Sequence, residues 1–391
     1  MKKEARIDSL TLSIVQVTPS TRWAFVEMVD DQNRTGFGEA TLAGHDGDLL
    51  RVASELFAAV VNTRLKETGT MFATLRLETL ARAAVVSALS HATMDLLGQA
   101  RNCSAAALLG EIVRESVPMY ANINRRTRSR APADFAQSAR VATAAGFSAV
   151  KIAPFDDVAL YGAHTNYDKK LIDAALDRIA AVRDIVGRSV EVMVDCHWRL
   201  NVAVAREVLA SNVCDGLYWL ECPIPESPDN LQDLRALRSF ANSRGIRLAG
   251  CEQAVRTDGF RPFVKAGAYD VMMPDIKYVG GMGEMLEVAR LLDSHGVEFS
   301  PHNPSGPVAH AASLQICALV PNFRRLEMQF NETRYFDAIA NMKLPLPQNG
   351  KTRVSSAPGL GIEVNRTELD SLTIRRLIFN REHEKCNATV A

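Results

Sequence analysis

Apolar and polar positions follow two rhythms along the chain. Near the N-terminus the short runs RIDSLTLSIV, RWAFVEMVDD and TGFGEATL are β-rich and broken by polar and glycine turns. That pattern predicts a strand meander. From about Phe57 to Leu109 the pattern is helical. LETLARAAVVSALSHATMDLLGQA carries apolar residues at helical spacing and is expected to end near Gly98. Strands followed by helices predict a separate α+β unit. After ESVPMYANIN the rhythm changes. Eight apolar runs follow: PMYANI, SAVKIAP, EVMVDCH, LYWLECP, IRLAGCE, DVMMPD, VEFSPHN and RRLEMQF. Between most of them lie amphipathic stretches such as YDKKLIDAALDRIAAVRDIVG. Eight β-α alternations predict a parallel β/α barrel. The alternative, an open doubly wound sheet, needs a Gly-rich phosphate turn after an early strand, and the sequence has none. The tail from about Pro345, with SSAPGLGIEVNRTEL, is expected to return to the N-terminal unit. The expected division is a capping unit over 1–118, a barrel over 119–344 and a returning segment over 345–391.

The same apolar runs end in chemistry. Lys151 ends the second, Asp195 and His197 the third, Glu221 the fourth, Glu252 the fifth, Asp275 the sixth, His302 the seventh and Glu327 the eighth. From Asp195 onward the intervals are 26, 31, 23, 27 and 25 residues, each about one β-α unit. In a barrel, catalytic groups sit at the C-terminal ends of strands. Asp195 and His197 are two apart, so a strand would turn both to one side. Asp195, Glu221 and Glu252 fall on consecutive strands. Three carboxylates in a low-dielectric mouth repel unless a cation lies between them. All-oxygen ligation suits a hard divalent ion, Mg²⁺ first. The plainer alternative is three separate salt bridges to Lys or Arg, and the shared phase on three strands weighs against it. A carboxylate such as Asp275, bonded to one nitrogen of His302, would fix its tautomer and raise the basicity of the other nitrogen. Lys277 shares a face with Asp275 and reads equally as its partner or as a second base.

Composition narrows the classes. The chain has 391 residues, 47% hydrophobic and 23% charged, with a formal net charge of zero. That argues against a general attraction to nucleic acid or an anionic membrane. The one basic cluster, NRRTRSR, reads as a solvated loop. The N-terminal MKKEARIDSL lacks the apolar core of a signal peptide, and no apolar run reaches the ~18 residues of a membrane span. Seven cysteines at irregular spacings, without CxxC, read as free thiols in a reducing cytosol. Cys196, Cys222 and Cys251 adjoin proposed ligands and suggest a zinc site. Strand alternation, however, turns such neighbours outward.

The arrangement resembles the enolase superfamily, mandelate racemase subgroup, over nearly the whole chain. GFGEATLAGHDG is similar to that family's capping segment and ATMDLLGQARNCSAAALLG to its helical signature. PDIKYVGG is similar to its sixth-strand motif and APGLGIEV to its C-terminal return. The resemblance implies an α+β capping domain on a modified (β/α)7β TIM-type barrel. Cap loops around Pro19 to Trp23 and Leu42 to His45 would close the site. It implies removal of a proton α to a carboxylate, with Mg²⁺ stabilising the enolate. His302 and Asp275 match the family's dyad. Glu327 matches an acid that hydrogen-bonds the substrate carboxylate, and would be protonated to do so.

Three positions depart from the racemase pattern. Its Lys-x-Lys reads Lys151-Ile152-Ala153 here, which removes the second lysine base. His197 stands where that pattern has Asn, and Cys222 replaces a second acid that is not a metal ligand. Asp-x-His, with SPHNPSGPVAHAASLQ, resembles the acid-sugar dehydratases of the subgroup. There the third-strand His protonates the departing β-hydroxyl, and Lys151 would stay near the substrate carboxylate. The implied reaction converts an acid sugar to a 2-keto-3-deoxy acid, with Asn122 and Asn124 as possible hydroxyl contacts. A racemase or epimerase, and a non-catalytic sugar-acid-binding paralogue, remain as alternatives. The expected partner is a small-molecule carboxylate, and the family suggests a homo-oligomer in the cytoplasm.

Overall fold

Strands β1 (Ile7–Gln16), β2 (Arg22–Asp30) and β3 (Thr35–Glu39) pair antiparallel in sequence order. The turn between β2 and β3 is set by Asp30, whose Oδ1 accepts from Gln32 N and Arg34 N at 3.0 Å, while Asn33 takes φ 59°. The computed structural model describes residues 4–160, 168–341, 348 and 350–381, together with the backbone of 383–390. Helices Asp46–Val60 and Leu80–Arg101 pack on the meander. The first begins well before Phe57, with Asp46 and Asp48 in its opening turn, where the helix dipole favours them. The second is capped by Thr79, whose Oγ1 accepts from Arg82 N. It runs past Gly98 to a left-handed Asn102. Gly98 is a contact rather than a stop, because a Cβ there would lie 2.5 Å from Gly359 N.

The eight apolar runs form parallel strands β4 (Ser116–Asn122), β5 (Ala149–Ile152), β6 (Glu191–Asp195), β7 (Trp219–Glu221), β8 (Arg247–Gly250), β9 (Val271–Met272), β10 (Glu298–Phe299) and β11 (Leu326–Gln329). Neighbours pair in order from β4 to β10, and β11 pairs with β4. The ring closes where Phe299 bridges Phe323 and Glu327 N donates to Pro301 O. This is the TIM-type barrel with an antiparallel capping sheet. Strand β12 (Lys351–Arg353) adds to β4. Strand β13 (Thr373–Asn380) crosses back to pair with β1, and β14 (His383–Val390) pairs with β13.

Tyr120, Met193, Trp219, Ala249, Val271 and Met273 fill the barrel interior. Tyr120 and Trp219 meet edge to face at 5.5 Å. Emptying the Trp219 site would cost about 3–5 kcal/mol. This apolar plug closes the barrel floor, so the polar groups above it stand in a low-dielectric mouth. Among the described residues no helix is long and apolar enough to cross a membrane.

Candidate active site

Asp195 ends β6 and Glu221 ends β7; Glu252 lies two residues beyond β8. Their ligand oxygens all lie within 4.8 Å of one another, and all three side chains are buried. Lys151 reaches up from β5. Its Nζ is 2.6 Å from Glu221 Oε1, 3.0 Å from Glu327 Oε1 and 3.9 Å from Asp195 Oδ2. Burial pushes the Lys151 ammonium down, but Glu221 and Glu327 outweigh it and hold its pKa well above the ordinary value. Lys151 is therefore a fixed positive charge here, and a poor base.

Do these carboxylates suit a divalent cation? Burial and the charges of Asp195, Glu327 and Glu252 push Glu221 well above its ordinary pKa, although Lys151 pulls it down. Burial likewise raises Glu252, against His302. Glu252 Oε2 is buried without a hydrogen bond among the described residues. Negative charge is thus in excess, and one oxygen is free to ligate. The donor set is oxygen alone and fits a hard divalent cation such as Mg²⁺.

Two imidazoles face this cluster. His302 directs Nδ1 at Asp275 Oδ2, 2.8 Å away, and Nε2 at Glu252 Oε2, 3.4 Å away. His197 directs Nδ1 at Asp156 Oδ1 at 2.6 Å and Nε2 at Asp195 Oδ2 at 2.8 Å. Burial pushes both histidines down, yet neighbouring carboxylates raise both above the ordinary value. His197 does not reach the mouth by strand alternation. β6 stops at Asp195, and His197 and Trp198 take φ 46° and 56°, a left-handed turn that side chains disfavour. Asp195 Oδ1 fastens that turn by accepting from His197 N at 2.9 Å.

The other expected residues fall into place unequally. Asn122 donates to Glu327 Oε1 at 2.7 Å and so joins the cluster. Asn124 Oδ1 instead accepts from Ala153 N at 2.6 Å, tying two barrel loops together. Glu327 departs from the proton donor that the resemblance implies. It accepts from Lys151, Asn122 and Asn303 N, and although burial raises it, Lys151 and His302 hold it below the ordinary carboxylate range. In this state it is an ionised acceptor. Lys277 Nζ donates to Asp275 Oδ2 at 2.6 Å and to Ser305 Oγ at 2.5 Å, which makes it the partner of that acid.

Sequence reasoning missed several contacts. Trp219, part of the apolar barrel interior, also donates Nε1–H to Glu221 Oε2 at 2.9 Å, as position i−2 on the same strand face would allow. Asp156 stands three residues past Ala153 in a loop without periodicity. Cys196, Cys222 and Cys251 are buried thiols whose pKa burial pushes up, consistent with packing. The side chain of Cys386 lies outside the described residues. In the capping domain, Arg22 of the first cap loop meets Asp46, the first residue of the helix after the second, at 2.6 Å, beside a cavity of about 610 Å³ that Arg125 also lines.

Residues 134–368 match the family model of the enolase C-terminal domain-like proteins. A D-xylonate dehydratase of Haloferax volcanii is 28% identical over 76% of this chain and 71% of its own. A D-galactonate dehydratase of Verminephrobacter eiseniae is 25% identical over 90% of this chain and 91% of its own. The crystal structure of a mandelate racemase/muconate lactonizing enzyme from Jannaschia sp. CCS1 superimposes with a TM-score of 0.83, at 24% identity over 94% of this chain and 97% of that one. With the family model spanning well over half of its length, the chain belongs to the enolase C-terminal domain-like family, within the enolase superfamily.

Proposed function

We propose that the protein is a Mg²⁺-dependent acid-sugar dehydratase, a hydro-lyase that converts an α,β-dihydroxy carboxylate to a 2-keto-3-deoxy acid. The observation that carries this reading is the pair of imidazoles, each with Nε2 turned to the same carboxylate cluster and Nδ1 turned to an aspartate. Asp195, Glu221 and Glu252 would hold the cation, which supplies electrostatic stabilisation of charge building on the substrate carboxylate. Lys151, charged and buried, adds a second positive centre beside it. His302 takes the α-proton on Nε2 while Asp275, kept ionised by Lys277, holds Nδ1–H. His197 gives the Nε2 proton to the β-hydroxyl, which leaves as water. The enol so formed tautomerises to the 2-keto acid. Asn122 and the cap-loop cavity that Arg125 lines would read the substrate's hydroxyl groups. The plugged, low-dielectric floor strengthens each of these interactions.

The curated relatives name three starting substrates, D-xylonate, D-galactonate and D-gluconate. Incubating the protein and Mg²⁺ with these, then with a wider set of acid sugars, and assaying 2-keto acid tests the reading. Solvent-deuterium exchange at the α-carbon without dehydration, across the whole set, would make the protein an epimerase instead.

A further inference from the structure

Asp156 is an acid in the mouth to which the chemistry above gives no task. It lies in the loop after β5, and its Oδ1 is 2.6 Å from His197 Nδ1. The loop is anchored. Arg178, from the following helix, grips Asp157 with both terminal nitrogens at 2.8 and 2.6 Å and donates to Pro154 O at 2.6 Å. Arg199 Nε stands 3.6 Å from Asp156 Oδ1. Asp156 is therefore presented to His197 by a fixed backbone. The contact has the same form as the one between Asp275 and His302, with Nδ1 on the aspartate and Nε2 toward the acids.

The two carboxylates that touch His197 differ in what they can do. Asp195 meets Nε2, the nitrogen that would face substrate, and belongs to the proposed cation site. Asp156 meets Nδ1 and has no other hydrogen bond to a side chain among those described. A carboxylate on Nδ1 fixes the Nδ1–H tautomer, so that the mobile proton sits on Nε2. The strained left-handed backbone at His197 and Trp198 is a further sign that the ring is held in a set direction.

We propose that Asp156 is a positioning residue that completes a second His–Asp pair, orienting His197 to deliver its Nε2 proton to the departing hydroxyl. This rests on the dehydratase reading. In the step itself the α C–H bond breaks, its proton goes to His302 Nε2, and its electron pair becomes the new C=C bond. The β C–O bond breaks and the oxygen takes the His197 proton, leaving as water. Nothing is oxidised or reduced overall, and Asp156 neither gains nor loses a proton in the step. The protein thus sets two matched pairs over one acidic cluster, one accepting a proton and one donating it.

Two measurements on the full chain in Mg²⁺ buffer test this. In proton NMR with ¹⁵N-labelled histidine, His197 Nδ1–H should give a strongly downfield signal, assigned by its loss in His197→Asn. The signal should vanish in Asp156→Ala; its persistence there overturns the pair. The second uses whichever acid sugar the wild type dehydrates, beside its 3-deoxy-3-fluoro analogue. Fluoride leaves without a proton, so its loss needs no acid. Asp156→Ala should slow dehydration on the order of 100-fold and change fluoride loss only a few-fold, with Asp156→Asn falling between. Equal losses in both reactions, or none in either, would overturn the positioning role. If the wild type dehydrates no acid sugar, the dehydratase reading fails, and the NMR signal alone still decides whether Asp156 holds His197.

Discussion

Glu39, the last residue of a capping strand, accepts from the backbone N–H of Gly306, 2.7 Å away in the barrel loop behind His302. Its other oxygen accepts from Ala309 N at 2.9 Å. Both donors belong to the start of helix Pro307–Cys317. That helix cannot cap itself, because Gly306 has no side chain to turn back on it. Gly306 cannot gain one either, since a Cβ would lie 2.9 Å from Glu39 Oε2 and 3.0 Å from Trp23. The capping domain thus holds the loop that carries the proposed base.

Glu39→Gln should show this coupling. The amide keeps one acceptor oxygen and leaves a buried N–H unpaired, at a cost of roughly 1–3 kcal/mol. A lower urea midpoint and a lower kcat are expected together, with metal affinity unchanged. A stable variant with wild-type kcat would separate the capping contact from the base loop.

A second tie gives a pH dependence. His91, on helix Leu80–Arg101, donates from Nε2 to Ile276 O at 3.1 Å, between Asp275 and Lys277. Burial pushes its pKa down to about 4, with Asp275 raising it and Lys277 lowering it by smaller amounts. An unfolded histidine takes up its proton near 6.5, whereas folded His91 resists until about 4. Unfolding therefore binds a proton in that window, and stability falls as pH falls through it. Asp95, pushed up to about 6, and Glu226, pushed up to about 7, act in the opposite sense, because folding retains their protons. The difference between wild type and His91→Gln isolates one group. It should change by up to about 1.4 kcal/mol per pH unit between roughly pH 4 and 6.5. Urea titrations at several pH values check this, and parallel slopes would count against it.

Much of this site is legible in the sequence, because strands and chemistry share one phase. The second to eighth apolar runs end where a carboxylate, lysine or histidine must face the mouth, so Asp195, Glu221, Asp275 and His302 can be placed from the pattern alone. Contacts made by loops are not legible in that way. Asp156 and His197 are 41 residues apart, and neither lies within a strand. Glu39 reads as the end of a meander strand, and its task appears only when a distant helix lacks a cap. Glu327 is placed by its strand, but its ionisation depends on Lys151, whose ammonium three strands share.

The metal reading makes a direct prediction. Glu221 accepts from Lys151 on one oxygen and from Trp219 on the other, so glutamine keeps one of these two hydrogen bonds and the side-chain shape while removing the charge. Chelation should abolish turnover and Mg²⁺ should restore it. Glu221→Gln should weaken Mg²⁺ binding by on the order of 100-fold or more, read by calorimetry, with an unchanged circular dichroism spectrum. Full turnover of that variant after exhaustive chelation would sink the metal reading.

The last prediction separates the two histidines. His302 and His197 meet the acid cluster at different carboxylates, one at Glu252 and one at Asp195. A substrate carboxylate placed at the cluster puts its α-hydrogen toward one imidazole and its β-hydroxyl toward the other. Hydroxide is a poor leaving group, so a positioned acid contributes roughly 10²- to 10⁴-fold. His197→Asn should lose dehydration by that factor. It leaves His302, Asp275 and Lys277 untouched, so the α-proton should still be removed. In D₂O the variant should then wash deuterium into the α-position of substrate recovered unchanged, followed by NMR. His302→Asn should lose both exchange and dehydration. Undiminished dehydration by His197→Asn would remove its role and leave His302 to serve both steps from one face, by syn elimination.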